Sequence, residues 1–347
     1  MNRHFAYYSI ARVVFITAVT LSQASCIHPS RIVHVRDTHD DIVLNHELII
    51  HPGLTSFRNI QYYESNIYGT ISDSREPTLA CYNTASSTLH KYYNKGRGPG
   101  EILSAYDDCI IKGTRQFVIL DLQTKKLFIS PLDAMNDGSF LETDAEVIDT
   151  KYPYIIVSLC SDGKSIYASG FFEDSRIVRL EDNKWSPVTT YSPQTKDSEI
   201  DKFVMQAYQC QLSYNEEHKA IVAACFHADQ IEIINPSDGS VRFLKGPENI
   251  EPQYEVKADY GGTLAHLPKE RIIYRDVKTE GDWIYVLYCG ANIGKSLGCK
   301  EIRAISWDGK HLRRYILDRD VFSFDISDGH FYCATEDGDV VVYKYDR

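Results

Sequence analysis

From residue 31 onward the chain alternates short apolar or aromatic runs with polar turns, and no window carries the spacing of an amphipathic helix. The segments 31–36 and 42–50 read as strands, ended by His51-Pro52-Gly53. Beyond them the pattern repeats. Runs at 57–63, 66–72, 78–82 and 88–93 make one four-stranded unit, the size of a propeller blade. A second unit follows at 107–112, 116–122, 126–130 and, more weakly, within 140–148. A third lies at 154–160, 165–172, 176–180 and 185–191, and a fourth at 204–212, 220–227, 230–234 and 240–244. The fifth has 271–277, 283–288, 301–307 and 311–317, whereas the last offers only 321–326, 330–334 and 340–345. An early segment, 31–36 or 42–50, can supply the missing strand and close the ring, leaving no exposed sheet edge.

Asp-Gly pairs at 137, 162, 238, 308, 328 and 337 fall between these runs, where a type I′ turn needs a residue that accepts positive φ. The polar stretches 192–201 and 246–253 are spaced like connections between blades. The pattern therefore predicts an all-β fold: a six-bladed propeller of four-stranded antiparallel blades over residues 31–347, closed by an N-terminal strand. A composition of 43% hydrophobic and 12% aromatic residues, with 24 tyrosines, supports strands with a substantial core.

Residues 1–25 differ from the rest. Arg3 and Arg12 precede the apolar run 13–21, and Ala24-Ser25 stand directly before Cys26, the pattern of a signal peptide. The apolar run is shorter than the roughly 20 residues of a membrane span. The small residues before Cys26 resemble a bacterial lipoprotein signal, with Cys26 the lipidated residue and 26–30 a short tether, although Gln23 stands where such signals usually carry Leu. Stable anchoring then needs more than one acyl chain. The net charge of −11 becomes about −13 once a signal holding two arginines and no acid is removed, which makes nucleic acid a poor partner. Export also permits disulfides among the remaining cysteines. Cys289 and Cys299 flank a loop, and Cys210 and Cys225 face each other if the chain turns near Glu216-Glu217.

Several motifs come close to known chemistry and miss it. The loop Lys95-Gly96-Arg97-Gly98-Pro99-Gly100-Glu101 is glycine-rich, but Glu101 takes the place of a dinucleotide fingerprint's last glycine and no helix follows. It reads as a blade junction in which Arg97 and Glu101 pair, with Lys95 or Arg97 available to a ligand at the channel mouth. His46 and His51 are spaced one residue too far for a zinc protease helix, and they sit in a strand-like run. Residues 290–296 lack the spacing of a phosphate loop, and 294–298 lack the strand-to-helix turn of a nucleophile elbow. The acids Asp40-Asp41, Asp107-Asp108 and 336–339 read as solvated turns rather than calcium ligands. No cofactor or metal site is expected.

Three features together, the lipoprotein-like signal, the 95–101 loop and the ending Phe322-Ser323-Phe324 through Val340-Val341-Val342-Tyr343, resemble the TolB-like six-bladed β-propeller lipoproteins of Gram-negative bacteria. The resemblance spans nearly the whole mature chain. It implies a propeller at the outer membrane, on the periplasmic side, and supplies no catalytic residues. The expected function is a binding or scaffolding module for a protein, peptide or glycan. The alternative is a periplasmic lyase or hydrolase whose metal or acid/base site is gathered in the channel from several blades.

Overall fold

The computed structural model describes residues 31–36, 40–54, 57–71, 77–150, 155–172, 175–190, 205–257, 263–266, 271–292 and 298–345. The signal, Cys26, the tether and the 293–297 part of the disulfide loop lie outside them. Six antiparallel sheets follow one another in chain order. Blade 1 consists of Phe57–Tyr63, Asn66–Ile71, Leu79–Asn83 and Thr88–Tyr92, and blade 2 of Ala105–Ile111, Gln116–Asp121, Lys126–Pro131 and Glu146–Asp149. Blade 3 holds Ile156–Ser161, Ile166–Gly170, Ile177–Glu181 and Lys184–Thr189, and blade 4 holds Cys210–Asn215, Ala220–Cys225, Gln230–Ile234 and Val241–Lys245. Blade 5 is built from the longer strands Arg271–Glu280, Trp283–Asn292, Cys299–Ser306 and Leu312–Val321. Blade 6 has Ser323–Ser327, His330–Ala334 and Val340–Lys344 from the end of the chain, completed by Leu48–Ile50 from its beginning.

The packing explains why the second strands lack alternation. Asn66–Ile71 and Ala220–Cys225 are buried at every position, because both faces of a blade pack against neighbouring blades. Six hydrophobic clusters result, one at each blade interface, including the one that joins Ile50, Ala334 and Val340 of blade 6 to Phe57, Ile60 and Ile67 of blade 1. The ring is closed by antiparallel pairing of Leu48, Ile49 and Ile50 with Val342, Val341 and Val340.

The N-terminal segments correct the sequence reading in part. Only Leu48–Ile50 closes the last blade. Arg31–His34 adds a fifth, parallel strand to blade 4 beside Val241–Lys245, and Asp40–Leu44 does the same on blade 5 beside Leu312–Val321. These edges are apolar enough to hold a strap: Val33 and Val35 pack with the cluster between blades 4 and 5, and Ile42 and Leu44 with that between blades 5 and 6. Further elements, among them a 3-10 turn at Glu142–Asp144, were not anticipated. A six-residue helix, Leu132–Asp137, wedges Leu132 and Met135 into the cluster between blades 1 and 2, and a hairpin of Tyr254–Lys257 and Thr263–His266 follows blade 4.

All six Asp-Gly glycines have positive φ, between 71° and 86°. Only at Asp328-Gly329 does the aspartate share it, as a type I′ turn requires. At 137, 162, 238 and 308 the aspartate instead accepts hydrogen bonds from the backbone just ahead, as Asp162 does from Lys164 and Ser165, and Asp308 from Lys310, while Asp337 accepts from the Thr335 hydroxyl.

Candidate functional site

Where the innermost strands begin, the channel opens into a cavity of about 640 Å³ whose wall draws on all six blades. Its outer tier carries the rings of Tyr106, Phe226 and Phe322 together with Arg58, Arg275 and the exposed Glu336, while the Phe57 ring is buried against Gly69 in the core between blades 6 and 1. Its floor carries Asp107, Asp108, Asp276 and Lys278. A smaller space of about 150 Å³ lies at the other ends of these strands, and Gln61, Leu159, Leu212 and Lys278 line both, so they form the wall between the two.

The acids of the floor come from a repeated structural device. An innermost strand has a neighbour on only one side, so its outward backbone groups need other partners. Side chains of one blade reach the backbone of the next. The Leu159 N–H donates to Asp107 Oδ2 at 2.6 Å, the Leu212 N–H to Ser158 Oγ at 3.1 Å, and the Phe324 N–H to Asp276 Oδ2 at 3.1 Å. At the closing junction the Ile60 N–H donates to Ser323 Oγ at 3.2 Å and the Tyr62 N–H to Asp325 Oδ2 at 2.7 Å. Side chains join the remaining two junctions. Asn59 Nδ2 donates to Asp107 Oδ1 at 2.9 Å, and the hydroxyls of Ser213 and Thr279 meet at 3.3 Å.

Lys278 sits among these acids, with Nζ 3.7 Å from Asp276 Oδ1. Burial works against its charge, but the carboxylates of Asp276, Asp325, Asp108 and Asp107 outweigh it and hold its pKa above the usual lysine value. Burial likewise pushes up Asp325, against the pull of Lys278. Asp107 is driven well above the ordinary carboxylate range by burial and then by the charge of Asp108. Asp108 is pushed up to about 7 by burial, with Lys278 opposing. Asp108 differs from its neighbours in another respect. Its Oδ1 accepts from Gln61 Nε2 at 3.2 Å, while its buried Oδ2 has no hydrogen-bond partner among the described residues.

The two rim cations are also incompletely used. Arg58 is exposed and forms no ion pair among the described residues. Arg275 is half-buried, with Nε donating to the Phe322 carbonyl at 3.1 Å and the guanidinium 5.0 Å from the Phe322 ring centroid. No carboxylate contacts it within salt-bridge range among the described residues, and burial lowers its pKa, with the charge of Asp276 opposing.

Most of the residues singled out from sequence lie elsewhere. The 95–101 loop does connect the outer strand of blade 1 to the inner strand of blade 2, but Lys95, Arg97 and Glu101 do not line the cavity. Glu101 does not pair with Arg97. Its carboxylate folds back to accept the Gly98 N–H at 2.7 Å, in space that a Cβ on Gly96 would occupy, 2.0 Å from Oε2. Lys95 and Arg97 are exposed. Cys289 and Cys299 are disulfide-bonded. Cys210 and Cys225 are cross-strand partners, as the expected turn requires, but both are free, buried thiols. The Cys225 sulfur lies instead beside a polar cluster, 3.7 Å from Arg176 Nη2 and 3.8 Å from Glu232 Oε1.

His46 and His51 bond separate carboxylates, Asp318 at 2.7 Å and Asp339 at 2.8 Å. Among the described residues no group of three or more His, Cys, Asp or Glu side chains could hold a metal ion. The reading of Asp107-Asp108 as a solvated turn is overturned. Both are buried on the innermost strand of blade 2, where a register shift between Ala105 and Asp107 interrupts the regular pleat. Asp276, Lys278, Arg58 and Arg275 carried no sequence motif.

Residues 61–329 match the family model described as TolB-like 6-blade propeller-like. No curated protein matches the chain. Among solved structures, a member of the DUF4221 family from Bacteroides vulgatus is similar over 87% of this chain and 97% of its own, with a TM-score of 0.59 and 8% identity. A putative exported protein from Bacteroides fragilis is similar over 92% of this chain and 99% of its own, with a TM-score of 0.55 and 10% identity. A catalytically inactive virginiamycin B lyase from Staphylococcus aureus, solved with quinupristin, covers 86% of this chain and 98% of its own at a TM-score of 0.51 and 11% identity. At such identities the likeness is one of fold.

Proposed function

The chain belongs to the TolB-like six-bladed propeller family, and we propose that it is an exported binding module that takes its ligand in the channel mouth. One observation carries this reading. The cavity of about 640 Å³ has a wall drawn from all six blades, within the roughly 300–1,000 Å³ of small-ligand sites, and it combines aromatic rings with two arginines that have no acid partner among the described residues. Its acids Asp107 and Asp276, by contrast, are committed as acceptors of backbone N–H groups that join one blade to the next. Export is supported by the arginine-led apolar run before Cys26 and by the Cys289–Cys299 disulfide. We place the protein at the outer membrane, on its periplasmic side, with lipid on Cys26.

A second reading, a lyase or hydrolase working in the channel, is favoured by Asp108, because a buried carboxyl pushed up to about 7 is poised for proton transfer. Native mass spectrometry of the purified protein against a mixed panel of peptides and oligosaccharides separates the two. The binding reading expects unchanged ligand adducts that disappear in a Phe226→Ala, Phe322→Ala variant. Turnover of a panel member, lost in Asp108→Asn, would replace it with the enzyme.

A further inference from the structure

The channel mouth is polarised along its depth. The rim holds two cations, Arg58 and Arg275, neither of which has a carboxylate partner among the described residues, against one exposed carboxylate, Glu336, so it carries a net positive charge. The floor holds an excess of acceptors. Three aspartates line it around a single ammonium, and Asp108, only 2% exposed, keeps Oδ2 without a partner among the described residues. An unpaired buried acceptor costs free energy that an arriving donor recovers. A complementary ligand is therefore positive at its inner end and negative at its outer end. Between the tiers, the innermost strands present a backbone edge with no strand beside it, and only some of its N–H groups are taken by the stitches from the preceding blade. Such an edge offers main-chain pairing to an extended peptide.

We propose that the mouth takes a short peptide with free termini, its ammonium directed to Asp108 and its carboxylate to Arg58 and Arg275. This rests on the reading of the channel mouth as a binding site. Tyr106, Phe226 and Phe322 then flank the peptide side chains. Guanidinium groups suit carboxylates because their planar N–H donors match both oxygens.

The test is equilibrium dialysis of the full-length mature protein against three pools of mixed tetrapeptides, free, N-acetylated and C-amidated, with retained members read by mass spectrometry. The free pool is expected to be retained at least about tenfold better than either blocked pool, the scale of one charge-assisted hydrogen bond. Asp108→Asn should abolish the advantage over the acetylated pool and leave that over the amidated pool. Arg275→Gln should do the reverse. Arg58→Gln, at an exposed position, gives a second carboxylate test independent of folding. Equal retention of all three pools, or retention of none, overturns the inference. Oligosaccharides retained in the same dialysis while peptides are not would leave the binding-module reading standing and remove the peptide.

Discussion

The buried pair Arg176–Glu232 joins blade 3 to blade 4 and provides a quantitative test of how the ring is held together. Their side chains are 3% and 7% exposed, and the guanidinium approaches both carboxylate oxygens, Nε to Oε2 at 3.2 Å and Nη2 to Oε1 at 3.3 Å. Gln230 Nε2 adds a donor to Oε1 at 3.0 Å. Removing one charge leaves the other buried and uncompensated, a cost of about 3–5 kcal/mol. Removing both with apolar residues of similar size eliminates the desolvation of both ions, and Gln230 Nε2 loses its bond to Glu232, worth about 1 kcal/mol. Glu232→Gln and Arg176→Met should each lower the melting temperature by roughly 6–10 °C, taking about 2 °C per kcal/mol for a domain of this size. Arg176→Met combined with Glu232→Leu should return to within roughly 2–3 °C of the wild type. Thermal unfolding followed by circular dichroism supplies the three numbers. Single-mutant shifts below about 2 °C, or a double mutant as unstable as the sum of the singles, would refute the argument that the pair is a locked, desolvated unit.

Four other outcomes follow from the same physics. Ile50→Ala, in the closing strand and 8% exposed, should cost about 2–4 kcal/mol in chemical denaturation, whereas Val43→Ala, 69% exposed on the fifth strand of blade 5, should cost under about 0.5 kcal/mol. Gly96→Ala and Glu101→Ala should each cost about 1 kcal/mol and should not add, because both remove the bond from the Gly98 N–H. Reduction of Cys289–Cys299, which closes a loop of sequence separation 10, should lower stability by about 2–3 kcal/mol, read as a shift in the urea midpoint with and without reductant. Asp108 should make stability depend on pH. Its pKa is raised from 3.8 to about 7, so the folded state retains the proton longer than the unfolded chain, and stability falls as pH rises from about 4 to about 7, by up to about 1.4 kcal/mol per unit. Asp108→Asn should therefore gain on the wild type through that window, and a constant difference between the two proteins across it would show that the proton is not held there.

What the sequence made legible was local. Alternating strand runs, Asp-Gly turns and a last unit short of one strand led to six blades and closure from the N-terminus, because each of these signals is spoken by neighbouring residues. Arg31–His34 and Asp40–Leu44 were misplaced for a physical reason: blades 4 and 5 already have four strands, and nothing in a short β-run says that it will be a fifth. The 95–101 glycines were correctly read as a junction, but Glu101 was matched with the nearest cation when the nearest donor was the loop's own backbone. Asp107-Asp108 looked like turn acids because paired carboxylates are usually solvated, and burial became visible only once their strand was known to line the channel.

The channel residues were illegible because one structural position serves two purposes. Innermost-strand side chains both join each blade to the next and form the wall that a ligand would meet, so polar residues there are required whether or not anything binds. Counting acids in the channel therefore says little about function. The informative residues are those that the joints leave over. Asp107, Asp276 and Asp325 each accept a backbone N–H from the following blade, but Asp108 Oδ2 accepts nothing, and Arg58 and Arg275 meet no carboxylate among the described residues. These three come from blades 1, 2 and 5, and only closure of the ring brings them to one cavity. In a propeller the binding chemistry is thus what remains after the scaffold's own hydrogen bonds have been subtracted, and among the described residues that remainder is one deep acceptor, two rim cations and the exposed carboxylate of Glu336.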